Sequence, residues 1–185
     1  MNRMIMETRA MTRPTQNVKN VLARFSLGLL AIAALIPNMP VNRLRIHDGE
    51  AALCAAPVRS GAPFITEYEH SVQLSPVIDE YRIVQGRIWS WEERVQSHNA
   101  GLPFDAPKRG RFVMSPPWMI VRGGEIGMER IAYRIGSTEF GKNRWRLPPF
   151  DEIAAYEILP TRRVFIEASV VWLRDAEYAG FSRSR

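Results

Sequence analysis

The residues most able to do chemistry lie next to each other at His70 and Ser71. A histidine that activates a serine is typical of hydrolases, but neighbouring residues on a strand point to opposite faces of a sheet. These two residues therefore cannot form a catalytic pair with each other. The chain has two other histidines, His47 and His98, and no Gly-x-Ser-x-Gly nucleophile turn. We expect a non-enzymatic protein and keep a hydrolase as the least favoured alternative.

Two other roles are open for His70. In the first, its ring bonds a backbone carbonyl and orders a turn over residues 71–75, with the Ser71 hydroxyl capping that turn. In the second, His70, Ser71 and Glu80 line a polar pocket for a carboxylate-bearing solute or a loop of a partner protein. The first role requires only local hydrogen bonds, so the sequence favours it.

The position of Glu80 bears on this choice. In a hairpin whose loop is residues 71–75, Glu80 would pair with Thr66. Because Thr66 is four residues from His70, Glu80 would lie roughly 13 Å from His70 at about 3.3 Å per residue. We therefore expect no direct contact between His70 and Glu80 unless the register shifts or the sheet curls. An ion pair of Glu80 with Arg82 or Arg94 is the simpler expectation.

The remaining reactive residue types are scattered. The histidines and the nearby carboxylates fall one to an element, so we expect no metal site and no cofactor. Asp79-Glu80 and Glu92-Glu93 each divide between two faces of a strand and form no acid–base couple by themselves. Cys54 is the only cysteine, so no disulfide forms within the chain, and it has no basic neighbour in sequence. We expect Cys54 to be a small buried apolar residue.

The net charge of +6 is concentrated at the front of the chain, where residues 1–24 hold five basic residues and one acidic residue. The rest is close to neutral, which does not favour nucleic-acid binding. At 185 residues and 46% hydrophobic content, the chain fits one domain plus an appendage.

An uncharged apolar run follows the basic residues, from Phe25 to Ile36. This layout is typical of an export signal or a membrane anchor, and we assign residues 25–41 to that segment. No pair of small residues suitable for cleavage follows the run, so we favour an uncleaved anchor in the inner membrane. The positive-inside bias places residues 1–24 in the cytoplasm and the following domain in the periplasm. Secretion to the periplasm after signal cleavage is the alternative.

From residue 43 onward, apolar and polar residues alternate with the period of two that is typical of strands. Strands are predicted at residues 43–47, 63–70, 77–84, 87–95, 118–121, 126–135 and 164–173. Residues 151–159 fit either one helical turn or an edge strand. Trp89 and Trp91 are expected in the core. The pattern predicts a mainly β fold, a small antiparallel sandwich or partly open barrel, preceded by one hydrophobic signal or anchor helix.

Three motifs carry a family resemblance: Tyr-x-His-Ser-Val at residues 68–72, Pro-Val-x-x-Glu-aromatic at 76–81, and Ala-Gly-Leu-Pro at 100–103. Residues 43–173 resemble the family known as domain of unknown function 1850, with residues 174–185 as a tail. Asn99 stands where that family has a glycine before the third motif. The motif residues that we carry over as candidate binding residues are Tyr68, His70, Ser71, Val72, Glu80, Ala100, Gly101 and Pro103.

The resemblance implies a role in transport. Members of this family are small exported or membrane-anchored proteins whose genes lie beside TRAP transporters of the TAXI type. It implies an accessory protein that contacts the permease or the solute-binding protein of such a transporter. A free periplasmic module that binds a carboxylate solute is the alternative.

Overall fold

The computed structural model describes residues 16–96, 108–123, 126–147, 150 and 152–180. The third family motif, with Ala100, Gly101 and Pro103, lies outside the described residues. The chain divides into two compact units, one that ends at Asn38 and one that begins at Met39.

The first unit contains one long helix, α1 (Gln16–Leu35), followed by a short 3₁₀ turn at Ile36–Asn38. At about 1.5 Å per residue, its 20 residues span about 30 Å, the thickness of a bilayer core. The window Lys19–Asn38 has a mean hydropathy of 1.7, and none of it is buried. The helix extends beyond the apolar run because the preceding residues include good helix formers such as Lys19 and Arg24. It has the length and composition of a membrane span or a signal sequence.

The second unit is built from antiparallel strands. In chain order its described elements are β1 (Pro40–His47), β2 (Ala52–Val58), β3 (Ala62–Glu69), β4 (Pro76–Val84), β5 (Arg87–Val95), β6 (Gly110–Ser115), β7 (Trp118–Gly123), β8 (Gly127–Met128), β9 (Arg130–Arg134), β10 (Arg144–Arg146), β11 (Glu152–Ala154), α2 (Ala155–Ile158) and β12 (Arg163–Trp172). Residues 152–158 thus contain both of the elements predicted there, an edge strand and a helical turn.

These strands form two sheets, in the orders β2-β1-β12-β9 and β11-β10-β3-β4-β5-β7-β6, with β8 paired to β5. The inner faces of both sheets meet in one core, where Ile46 and Ile166 of the first sheet pack in a cluster with Phe64 and Trp145 of the second. The predicted antiparallel sandwich is therefore confirmed, and the described strands do not close into a barrel. Strand β12, which was predicted at residues 164–173, lies inside the first sheet between β1 and β9.

Strand β2 was not predicted from the sequence. Its residues include Ala55 and Ala56, which have low intrinsic strand propensity, but both are buried and pair with β1. Cys54 is 1% exposed, as expected for a buried apolar residue. Burial raises the pKa of its thiol to about 12.

Two details of strand pairing differ from the expectation. Thr66 pairs with Asp79 instead of Glu80, because His70 leaves the strand and joins the loop. A bulge between Glu80 and Tyr81 also changes the register of β4 with β5.

The expectation that Trp89 and Trp91 lie in the core is wrong. Trp89 pairs with Arg82 on the outer face of the sheet, and Trp91 is 48% exposed. The Arg82 guanidinium lies 5.7 Å from the centroid of the Trp91 ring. The β4–β5 bulge reverses the alternation of faces along β5, which the period of two alone does not reveal.

Candidate functional site

The Tyr-x-His-Ser-Val motif forms the end of β3 and the turn that follows it. The His70 amide donates to the Ser75 carbonyl at 2.9 Å. The ring Nδ1 of His70 accepts hydrogen bonds from the amides of Val72 and Gln73, each at 3.2 Å. The ring therefore orders the turn, as the first role proposed, but it accepts from backbone amides instead of donating to a carbonyl. Its Nδ1 is occupied by these amides and not by the hydroxyl of Ser71.

A second turn, between β9 and β10, lies beside the motif turn. The Glu69 amide donates to the Gly141 carbonyl at 2.8 Å and joins the two. Asn143 holds the second turn through two hydrogen bonds. Its Oδ1 accepts from the Gly136 amide, and its Nδ2 donates to the Tyr133 hydroxyl at 3.1 Å. A Cβ at Gly136 would lie 2.1 Å from the Phe140 carbonyl oxygen, so only glycine fits this turn.

A surface cleft of about 590 Å³ separates the two turns. We call it the motif cleft. Its lining includes Tyr68, His70, Ser71, Arg134, Phe140 and Asn143. The cleft therefore brings together three family-motif residues, the cation Arg134 and several neutral hydrogen-bonding groups. Glu69 also lines it, and its carboxylate lies 3.6 Å from Lys142 Nζ.

Large apolar side chains are exposed on the two turns that form this cleft. Val72 is 68% exposed, Leu74 70% and Phe140 65%. Leu74 also lines a smaller cleft of about 160 Å³ on the other side of Tyr68. We call Val72, Leu74 and Phe140 the apolar rim.

Glu80 does not join His70 and Ser71, so the pocket of these three residues proposed from the sequence is not formed. Because Asp79 faces the core side of β4, Glu80 points to the outer face. There it forms the expected ion pairs with Arg82 and with Arg94, the latter at 3.5 Å.

The ion pairs continue across the outer face to the buried Glu92, which accepts from Arg94 and Arg122. Burial by itself raises the pKa of Glu92, but these hydrogen bonds outweigh it and hold the pKa below its ordinary value. Glu80 thus belongs to a network that links β4, β5 and β7.

The core side of the sheet holds a pair of carboxyls that the sequence analysis missed. Asp79 lies directly opposite Glu93 on β5, and the Thr66 hydroxyl lies 3.4 Å from Asp79 Oδ2. Burial raises the pKa of Asp79 to about 6. Burial and the neighbouring Asp79 charge raise the pKa of Glu93 to about 7. A regular hairpin around the Gln85-Gly86 turn would place Asp79 opposite Glu92. The bulge between Glu80 and Tyr81 shifts the pairing by one residue, so that Asp79 lies opposite Glu93.

Tyrosines link this acid pair to the motif cleft. Burial raises the pKa of the Tyr68, Tyr81 and Tyr133 hydroxyls, and the charge of Asp79 adds to the shift of each. Their hydroxyls stay protonated and can donate hydrogen bonds.

Within the described residues, no group of three or more His, Cys, Asp or Glu side chains is placed to hold a metal ion. The site is suited to binding through hydrogen bonds and apolar contact.

A family model described as Domain of unknown function (DUF1850) matches residues 64–148. The match begins in β3, covers the motif cleft and the acid pair, and ends just after β10. It confirms the family resemblance over these residues, while β1, β2 and β12 lie outside it. No curated protein and no solved structure matches this chain.

Proposed function

We propose that this chain, whose residues 64–148 belong to the family Domain of unknown function (DUF1850), is a non-enzymatic accessory protein of a TAXI-type TRAP solute transporter. It works outside the cytoplasm by contact with the permease or the solute-binding protein of that transporter. The family resemblance supports the transporter. The helix α1 is suited to hold the β unit at the inner membrane, and secretion after signal cleavage is the alternative.

The apolar rim is the observation that carries the contact role. Val72, Leu74 and Phe140 are each about two-thirds exposed, although large apolar side chains normally find cover in the core. All three lie on two joined turns around the family motif. Apolar groups clustered on the surface and bordered by polar residues are typical of protein contact sites. The hydrogen bonds of His70 and Asn143 keep this surface ordered before a partner arrives, which reduces the entropy cost of binding.

A pull-down of the tagged full chain from native membranes tests this role. Changing Val72→Asp together with Phe140→Asp places two charges on the rim, and we expect recovery of a transporter subunit to fall at least tenfold. The matched control is Met114→Asp, because Met114 is 62% exposed on β6. The proposal is wrong if the double variant recovers as much transporter as the control, or if the native chain recovers none.

Membrane attachment needs a separate measurement. If α1 remains as an anchor, the full chain stays in the membrane fraction after a carbonate wash. Release by the wash supports the secreted form. The wash does not test contact with the transporter, which is tested by the pull-down.

Carboxylate binding in the motif cleft is the second candidate, and Arg134 favours it. Arg134 is exposed in the cleft near Tyr68 and His70, so it can pair with a carboxylate that those side chains also contact. Calorimetry with acetate and succinate tests this. Binding that is lost in Arg134→Gln and kept in Arg146→Gln supports a solute-binding module, and no binding by the native chain rejects it.

A further inference from the structure

A second cleft, of about 530 Å³, lies on the outer face of the four-stranded sheet. We call it the arginine cleft. Its charged and hydroxyl lining residues are Arg43, Arg45, Glu129, Arg130, Glu167 and Ser169. Arg43 and Arg45 are two residues apart on β1 and so share one face, with Ser169 and Glu167 of β12 opposite them.

The two carboxylates in this cleft each lie within ion-pair distance of an arginine outside β1. Glu167 Oε1 lies 3.1 Å from His47 Nε2 and 3.8 Å from Arg130 Nη1. Glu129 Oε1 lies 3.7 Å from Arg87 Nη1. Although Glu167 lies opposite Arg45 in the strand register, neither acid forms an ion pair with Arg43 or Arg45 among the described residues.

Arg43 and Arg45 have no ion pair or hydrogen-bond partner for their side chains within the described part of the chain. Their Nε atoms are buried and lack an acceptor. The Cα atoms of Arg43 and Arg45 are about 6 to 7 Å apart along the strand. Like charges on neighbouring side chains repel each other, and this repulsion is stronger beside a low-dielectric sheet than in water. The fold therefore keeps both arginines in one cleft with no ion pair to either among the described residues.

We propose that the arginine cleft binds a phosphate dianion. One phosphate group carries up to two negative charges, which matches the two guanidinium groups that have no ion pair, whereas a single carboxylate carries one. Guanidinium groups bind phosphate oxygens in a bidentate way, and the Ser169 hydroxyl opposite Arg43 can add a further donor. The group comes from a free phosphate or phosphate monoester, or from the headgroup of a phosphatidic acid. This site does not depend on the proposed transporter role.

Binding to the full chain in neutral detergent micelles tests the proposal, with inorganic phosphate as one probe and short-chain phosphatidic acid as the other. We expect the double variant Arg43→Gln, Arg45→Gln to weaken binding at least tenfold. The matched control is Arg111→Gln, Arg146→Gln, which removes the same charge from exposed positions on β6 and β10 and leaves binding unchanged. The variant Arg43→Lys, Arg45→Lys keeps the charge, and we expect it to retain part of the affinity.

The two probes separate the sources of the group. Binding of inorganic phosphate that is lost in the glutamine variant supports a free phosphate ligand. Binding of phosphatidic acid alone, lost in the same variant and not replaced by phosphatidylcholine, supports a lipid headgroup. The proposal is overturned if neither probe binds, or if the control variant loses as much affinity as the cleft variant.

Discussion

Replacing Asp79 with asparagine is expected to stabilise the folded protein at neutral and alkaline pH. The carboxyl faces the Thr66 hydroxyl on β3, Glu93 on β5, and the hydroxyls of Tyr68, Tyr81 and Tyr133. Burial raises its pKa from 3.8 to about 6, so the folded state disfavours its charge. Asparagine has nearly the same shape and still accepts a hydrogen bond from Thr66, but it carries no charge.

The size of the effect follows from this pKa. A shift of roughly two units, at about 1.4 kcal/mol per unit, makes the charged carboxylate cost up to about 3 kcal/mol in the folded state. The folded protein binds the proton more tightly than the unfolded chain. The stability from the protonated carboxyl is therefore complete below about pH 4 and is lost as the pH rises to about 6. Relative to the native protein, Asp79→Asn should have nearly the same free energy of unfolding at pH 4. At pH 8 its free energy of unfolding should be higher by up to about 3 kcal/mol, which corresponds to about 6 to 12 °C in melting temperature.

Thermal unfolding of the full chain, followed by circular dichroism from pH 4 to pH 8, measures this difference. Glu139→Gln serves as the control because Glu139 is exposed, and its melting temperature should follow the native curve at each pH. The native protein should lose stability between pH 4 and pH 7, and Asp79→Asn should lose less. The reasoning is refuted if Asp79→Asn is less stable than the native protein at pH 8, because Asp79 would then be a stabilised carboxylate.

Three further substitutions test how the sandwich holds the site. Gly86→Ala should lower the free energy of unfolding, measured with urea, by about 1 to 3 kcal/mol. Gly86 has a φ of 69°, and a Cβ there would lie 2.9 Å from the Val170 amide nitrogen. Asn42→Ala should lose about 1 to 3 kcal/mol in the same assay, because Asn42 Oδ1 accepts the buried Gly86 amide at 2.8 Å; an unchanged unfolding midpoint would show that this bond contributes nothing. Gly136→Ala should lower transporter recovery in the pull-down because it displaces the Phe140 turn, and full recovery would separate partner contact from that turn.

Local patterns in the sequence predicted most of the elements, although β2, β6 and β10 were missed. The apolar run before residue 37 predicted a helix, and the period of two predicted most of the strands and their buried faces, since side-chain direction along one strand depends only on neighbours in sequence. The two-residue gap between the strands predicted at 77–84 and 87–95 also located the Gln85-Gly86 turn, where Gly86 supplies the positive φ that such a turn needs. The family motif at residues 68–72 pointed to the surface that the motif cleft now shows.

Cross-strand placement could not be read in this way. His70 leaves the strand because its ring and backbone close the turn, and the register of β3 with β4 moves by one residue. The bulge beside Tyr81 then brings Glu93 opposite Asp79 and turns Trp89 to the outer face. A one-residue change in register moves every following side chain to the other face, so its consequences exceed the local signal that causes it.

The sequence by itself therefore determined a membrane-length apolar helix, a mainly β unit and the family motif, because each of these depends on residues close together in the chain. Only the tertiary structure decided that β2 is a strand, that Asp79 and Glu93 form a pair, and that Arg43 and Arg45 share a cleft without an ion pair among the described residues. Those results depend on pairing between strands as distant in sequence as β1 and β12, and the energy of that pairing is gained only when the sandwich is assembled.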